Sequence, residues 1–161
     1  MQNIDLICVG KLNAAYFAAG VAEYQKRLGG FCHFRIIELP EAPVADRNPS
    51  LALIEKALDK EGKAMLAAVR KGAYVVALCV EGRQISSEDL AAMIADRANS
   101  GAGDMAFLIG SSHGLSPEVK AAAQAHISLG RITLPHQLAR LVLTEQLYRA
   151  CTINAGMKYH K

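Results

Sequence analysis

The stretch "AYVVALCVEGRQISSEDLAAMIADRAN", Ala73 to Asn99, decides the fold. Its first part, Ala73–Val80, is apolar without a break. A strand with one wet face alternates polar and apolar residues, so an unbroken run of this length reads as a strand covered on both faces. The run ends at "EGR", where Gly82 permits a turn. Ser86 then stands at a natural N-cap with Glu88 and Asp89 in the first turn behind it, which marks a helix over Ser86–Asn99. A doubly covered strand followed by a helix is the unit from which parallel α/β sheets are built.

The same unit recurs on either side. Upstream, "IDLICVG" (Ile4–Gly10) and "HFRIIEL" (His33–Leu39) read as strands. The helices beside them are predicted over Ala14–Leu28 and Leu51–Lys71, the second weakened in its middle by Gly62. Pro40–Ser50 carries three prolines and reads as a loop, too short to divide the chain. Downstream, "DMAFLIG" (Asp104–Gly110) is a fourth strand. Ser116 as N-cap with Pro117 at N1 opens a helix over Ser116–His126, and "ISL" (Ile127–Leu129) is a short fifth strand. The alternation predicts an α/β fold with a mostly parallel sheet flanked by helices, in one domain spanning residues 1–161.

Composition narrows the class. The chain is 52% hydrophobic and 20% charged, a globular balance that excludes disorder. A net charge of +3 permits an RNA partner without the dense basic stripe of a dedicated nucleic-acid module. Cys8, Cys32, Cys79 and Cys151 are widely spaced and form no CxxC pair, so no metal site is expected. Cys8 and Cys79 lie in apolar runs and read as buried free thiols. "MQNIDLICVGKLN" lacks the build of a signal peptide, and no run approaches the roughly 20 apolar residues of a membrane span. The expectation is a cytoplasmic protein with reduced thiols and no membrane partner.

In open α/β sheets, ligands bind beyond the carboxyl ends of the strands. Three such ends here carry glycine: Gly82, Gly110 with Gly114, and Gly130. Any one of them reads as an ordinary turn, while the three together point to a shared pocket. The pocket is not an ordinary dinucleotide or nucleotide-triphosphate cradle, because GxGxxG after the first strand and GxxxxGK[ST] are both absent. A GxSxG nucleophile elbow is absent as well.

"LIGSSHGLSPEVKAAAQAHISLGRITLPHQLARLVLTEQLYRACTIN", with "KYHK" at the terminus, resembles the RlmH (YbeA-like) family of the SPOUT methyltransferases, and "CVGKLN" and "DKEGKAMLAAV" extend the likeness over nearly the whole chain. The resemblance implies a SPOUT fold with a C-terminal trefoil knot, a homodimer, and transfer of a methyl group from S-adenosylmethionine (SAM) to N3 of a pseudouridine in 23S rRNA of the assembled ribosome. Carried over by motif, the cofactor residues would be Leu78, Glu81 and Gly82, then Gly110 and Ser111, then Leu129, Gly130, Arg131, Ile132, Thr133 and Leu134. Leu78, Leu129, Ile132 and Leu134 would supply apolar walls. The chain departs from the family pattern at Ser111, where a second glycine is usual, at Ser112-His113, at Gly130, and at Lys158 and Lys161, where proline and arginine are usual.

Methyl transfer from a sulfonium needs no metal, but it needs an oriented nitrogen and removal of the N3 proton. The resemblance gives that work to the tail: Tyr159 to stack on or bond the base, His160 as base or donor, and Lys161 to hold a phosphate or an imide oxygen. His136 reads equally as a helix-start residue bonding loop carbonyls and as a substrate contact. Arg140 is a candidate RNA contact, while Arg149 fits an ion pair with Glu145 four residues earlier. Lys11 is a further basic candidate, and Lys26-Arg27 reads as a solvated helix face.

The last helix is apolar on two sides. At about 100° per residue, Ala139, Leu143, Leu147 and Ala150 share one face, and Leu138, Leu141 and Val142 share another with Glu145 and Arg149. One side fits its own sheet. The other predicts a seam with a second copy. Two other functions remain compatible with parts of this pattern. Strand alternation alone allows a flavodoxin-like nucleotide-binding module. The departures at Ser111 and Lys161 allow a SPOUT protein with a different RNA target or a ribosome-binding factor.

Overall fold

The computed structural model describes residues 1–45 and 47–161. In chain order the elements are β1 (Asn3–Val9), α1 (Ala15–Leu28), β2 (His33–Leu39), α2 (Leu51–Ala68), β3 (Tyr74–Gln84), α3 (Ser87–Asn99), β4 (Met105–Ile109), α4 (Pro117–Ala122), β5 (Ala125–Ser128) and α5 (His136–Asn154). The strands form one five-stranded sheet in the order β2-β1-β4-β3-β5, with every pairing parallel.

Period-two alternation sorts the strand residues into two cores. Ile4, Leu6 and Cys8 of β1, with Phe107 of β4, face Leu28 of α1, Leu90 of α3 and Leu143 and Leu147 of α5. Ile7 and Val9, with Leu108, face Met65 of α2 and Val119 of α4. Helices therefore cover both faces, which is why residues 4–9 of β1 and all of β4 are buried.

The structure departs most from the sequence reading at three boundaries. β3 runs on to Gln84 rather than ending at Val80. Ile127 of β5 pairs first with Leu78 and again with Arg83, so Cys79–Gly82 bulge out of the ladder and the strand then rejoins it. α4 stops at Ala122 rather than His126. Ala123 is extended, and Gln124 pairs with β3, its N–H donating to Val75 O and its Oε1 accepting from Val75 N. The alanine-rich sequence favours helix, but the ladder competes for Gln124 and wins. α2 ends at Ala68 with extended Val69, short of Lys71.

Gly62 does not interrupt α2. A Cβ there would lie 2.4 Å from Ser116 Oγ, so the glycine lets α2 and α4 touch. Ser116 is the N-cap of α4 as expected, accepting from Val119 N, and Ser86 with Asp89 forms a full capping box on α3.

α5 lies between α1 and α3. Ala139, Leu143, Leu147 and Ala150 are buried. The opposite face is better covered within the chain than the sequence reasoning allowed: Leu138, Leu141 and Val142 are half-buried, and Leu141 fits against bare Gly20 of α1.

Candidate cofactor and substrate site

A cavity of about 770 Å³ opens at the bulge of β3 and beyond the carboxyl ends of β4 and β5. It gathers residues from all three glycine-marked loops: Leu78 and Glu81, Gly110 and Ser111, and Leu129, Gly130, Ile132, Thr133 and Leu134. Gly82 and Arg131 do not line it. A Cβ on Gly82 would lie 2.5 Å from the Ile127 backbone, so this glycine serves the approach of β3 to β5. Arg131 points to solvent. Ile132 is 81% exposed and forms an outer lip rather than a wall, opposite equally exposed Val80.

The loop after β4 doubles back tightly. Gly114, at φ +86°, donates its N–H to Ser111 O, and a Cβ on Gly110 would fall 2.1 Å from Gly114 O. The loop after β5 turns at Gly130, φ +130°, where Ser128 Oγ accepts from Gly130 N and donates to Gly130 O. These contacts fix main-chain amides and carbonyls at the cavity edge. The Ser111 hydroxyl turns away from the cavity to Glu61.

Charge enters the cavity in one place. Lys120 of α4, a residue sequence reasoning missed, lines it and pairs with Glu81 at 2.5 Å. The Lys120 hydrogen bond holds the Glu81 carboxyl below the usual carboxylate range. Cys79 also lines the cavity and is half-buried, because the strand leaves its ladder after Leu78. This corrects its reading as a buried thiol; Cys8 is buried as expected.

A smaller cavity, about 490 Å³, lies at the tops of β1 and β2 and is lined by Gly10, Lys11, Asn13, Glu38, Glu41 and their neighbours. His136 borders both cavities. Arg140 is 1% exposed and donates to Glu38 Oε2 and to Gly10 O. It therefore ties α5 to the ends of β1 and β2 instead of presenting a surface cation.

The C-terminal tail lies elsewhere. Tyr159 donates to Glu145 Oε1 at 3.0 Å, packs edge-on against Tyr148 and lies under the Arg149 guanidinium. His160 contacts Arg149 Nη1 through Nδ1 and Glu88 Oε1 through Nε2. Lys161 is exposed. None of the three lines either cavity. Arg149 pairs with Glu145, as its spacing predicts. Among the described residues no group of three or more His, Cys, Asp or Glu is placed to hold a metal ion, and no helix is long and apolar enough to cross a membrane.

The model of one family, described as "Predicted SPOUT methyltransferase", matches residues 2–160. The chain belongs to the SPOUT methyltransferase family. Relatives in that family include proteins named "Ribosomal RNA large subunit methyltransferase H" from Ligilactobacillus salivarius, Limosilactobacillus reuteri and Lactiplantibacillus plantarum, each 49% identical over 160 residues, which is 99% of this chain and 100% of theirs. Among solved structures, TrmJ from Z. mobilis ZM4 matches with a TM-score of 0.53 at 16% identity, over 93% of this chain and 70% of that one. A "Probable Methyltransferase" from Bordetella pertussis Tohama I matches with a TM-score of 0.52 at 16% identity, over 92% and 95%. At such identities the structures bear on the fold alone. A full-length SPOUT match sets aside the flavodoxin-like module that strand alternation by itself allowed.

Proposed function

We propose that the protein is a cytoplasmic, SAM-dependent methyltransferase acting on N3 of a pseudouridine in 23S rRNA of the assembled ribosome. One observation carries the reading: a single cavity combines apolar walls, fixed main-chain polar groups and the Glu81–Lys120 pair. SAM joins a flat adenosine to a zwitterionic amino acid, and this donor set fits both ends. Leu78, Leu129 and Leu134 would flank the adenine, with the loop amides and carbonyls reading its edge. Glu81 would face the α-ammonium and Lys120 the α-carboxylate. Bound there, SAM supplies an electrophilic methyl group on a sulfonium.

The remaining work falls to the chain. The imide must be held in line, its N3 proton taken up, and the charge left on its oxygens stabilised. His160, Tyr159 and Lys161 have suitable groups, but in one chain they are committed to α3 and α5. The protein acts as a homodimer, with the half-buried Leu138, Leu141 and Val142 face at the seam and the tail of one protomer completing the cavity of the other. The C-terminal segment forms the trefoil knot of the family.

Calorimetry with SAM, followed by transfer of labelled methyl to ribosomes from a strain lacking the enzyme, tests the reading. A folded protein that takes up no SAM, or leaves the 23S rRNA unlabelled, refutes it.

A further inference from the structure

The smaller cavity, between the ends of β1 and β2 and the start of α5, belongs to none of the cofactor loops. We propose that it seats the target nucleotide, and that Glu41 reads the feature distinguishing pseudouridine from uridine. This inference rests on the methyltransferase reading above.

Three observations carry it. The first is position. His136 borders both cavities, so a ring seated in the smaller one lies against the imidazole that also faces the cofactor cavity. A methyl acceptor must sit beside the donor. The second is a bare floor. A Cβ on Gly10 would lie 3.8 Å from Glu41 Oε2 and 4.0 Å from His136 Nε2, so a carboxylate and an imidazole converge over a residue without a side chain. Gly10 has φ +91°, a conformation glycine adopts without strain, and Arg140 pins its carbonyl from below. The third is charge balance. Glu38 is matched by buried Arg140. Lys11 and Glu41 are exposed and, among the described residues, neither forms an ion pair. One free cation beside one free anion suits a neutral ring with donors and acceptors. A phosphate seat would carry an excess of cations and no free carboxylate.

A pyrimidine imide fits that set. Its two carbonyls accept from the Lys11 ammonium and from an imidazole N–H. Pseudouridine is joined to ribose through carbon, which leaves N1–H as an extra donor, and the Glu41 carboxylate is the acceptor for it. Uridine has no N1–H to offer. About 490 Å³ lies within the range of small-ligand pockets.

The test uses the full-length protein and the variants K11M and E41A, each first shown by thermal melting to fold as the wild type does. SAM affinity is measured by calorimetry. Methylation is measured on ribosomes carrying pseudouridine or uridine at the target position. The expected result is SAM affinity within about twofold of wild type, kcat/KM of K11M down by about tenfold or more, and a preference of E41A for pseudouridine over uridine reduced by about tenfold or more. Wild-type kcat/KM in K11M together with an unchanged preference in E41A overturns the inference while leaving the enzyme reading intact. Loss of SAM binding in parallel with methylation also overturns it, since the cavity is then part of the cofactor scaffold. A wild-type protein that binds no SAM refutes the enzyme reading itself, and this inference falls with it.

Discussion

Ser111 Oγ donates a 2.9 Å hydrogen bond to Glu61 Oε1, and Glu61 Oε2 accepts another from Ala42 N at 2.9 Å. Glu61 is 5% exposed and has no cationic partner among the described residues, so these two bonds are what satisfy its carboxylate. They link the loop after β4, the middle of α2 and the segment after β2. The Ser111 hydroxyl is turned into the protein and leaves the cavity edge to the backbone.

The first prediction follows from that linkage. Ser111→Ala leaves a buried carboxylate oxygen unpaired and is expected to cost about 1–3 kcal/mol. Because the hydroxyl points away from the cavity, SAM affinity should stay at the wild-type level. Urea denaturation and calorimetry on one preparation separate the two effects. A loss of affinity with unchanged stability contradicts the placement of the side chain.

Arg140 yields the second. Its guanidinium joins α5 to Glu38 of β2 and to the Gly10 carbonyl. Glu38 is 42% exposed at its side chain, so truncating the arginine strands a half-solvated acid rather than a fully buried one. Arg140→Ala is expected to lose about 1.5–3 kcal/mol, the range of hydrogen bonds to charged groups. The R140A/E38A double variant should lose less than the sum of the single ones. Strict additivity in denaturant melts argues against the pair.

Burial and periodicity made most of this fold legible. Ala73–Val80 announced a doubly covered strand, and Ser86 and Ser116 announced their helices. What failed was local competition: Gln124 left an alanine-rich helix for the ladder, and Arg83-Gln84 rejoined a strand that the apolar pattern had already ended. The larger cavity was legible as three glycine loops, and the family motif named nine of the residues that line it. Lys120 was not legible, because its partner Glu81 lies on another element and only the fold brings them together. Arg140 was misjudged for the same reason: a lone arginine on a helix reads as a surface cation until its acid arrives from β2.

Cys79 supplies a prediction about ligand binding. It is the half-buried member of four free cysteines, the other three being buried, and it lines the larger cavity. Burial and the nearby Glu81 carboxylate push its thiol above the ordinary range, so alkylation at neutral pH should be slow and should quicken as pH rises. Under native conditions a maleimide should modify one thiol, and SAM should protect it. Mass mapping of the labelled peptide decides the matter; labelling unaffected by saturating SAM contradicts the cofactor's placement.

The Glu81–Lys120 pair sets a pH dependence. The folded-state pKa of Glu81 is lowered, chiefly by its hydrogen bond from Lys120. A depressed carboxyl stabilises the fold above its unfolded-state pKa, and that contribution is lost as pH falls through the folded value. The carboxylate should thus remain ionised below the usual carboxylate range, and Lys120→Met should return its titration towards the ordinary value. Carboxyl chemical shifts followed through an acid titration report both; an unchanged midpoint in K120M removes the pair as the cause. Since the pair is solvent-exposed, the accompanying change in stability should be small and should shrink with added salt.

The tail gives the most demanding prediction. Tyr159 and His160 are held by Glu145, Arg149 and Glu88, and neither lines the larger or the smaller cavity described above. If one protomer's tail serves the other's cavity, deleting residues 159–161 should abolish methylation while leaving SAM affinity within about twofold. A variant with a blocked cofactor cavity, Gly110→Val, should be inactive from the other side, because even a Cβ there meets Gly114 O at 2.1 Å. Mixed after mild dissociation, two inactive homodimers should then regain activity, since one composite site in each mixed dimer is intact. At random exchange half of the dimers are mixed, so recovery should approach about a quarter of wild-type activity per total site. A mixture that stays inactive, with exchange verified by mass, would mean that each tail serves its own chain or none.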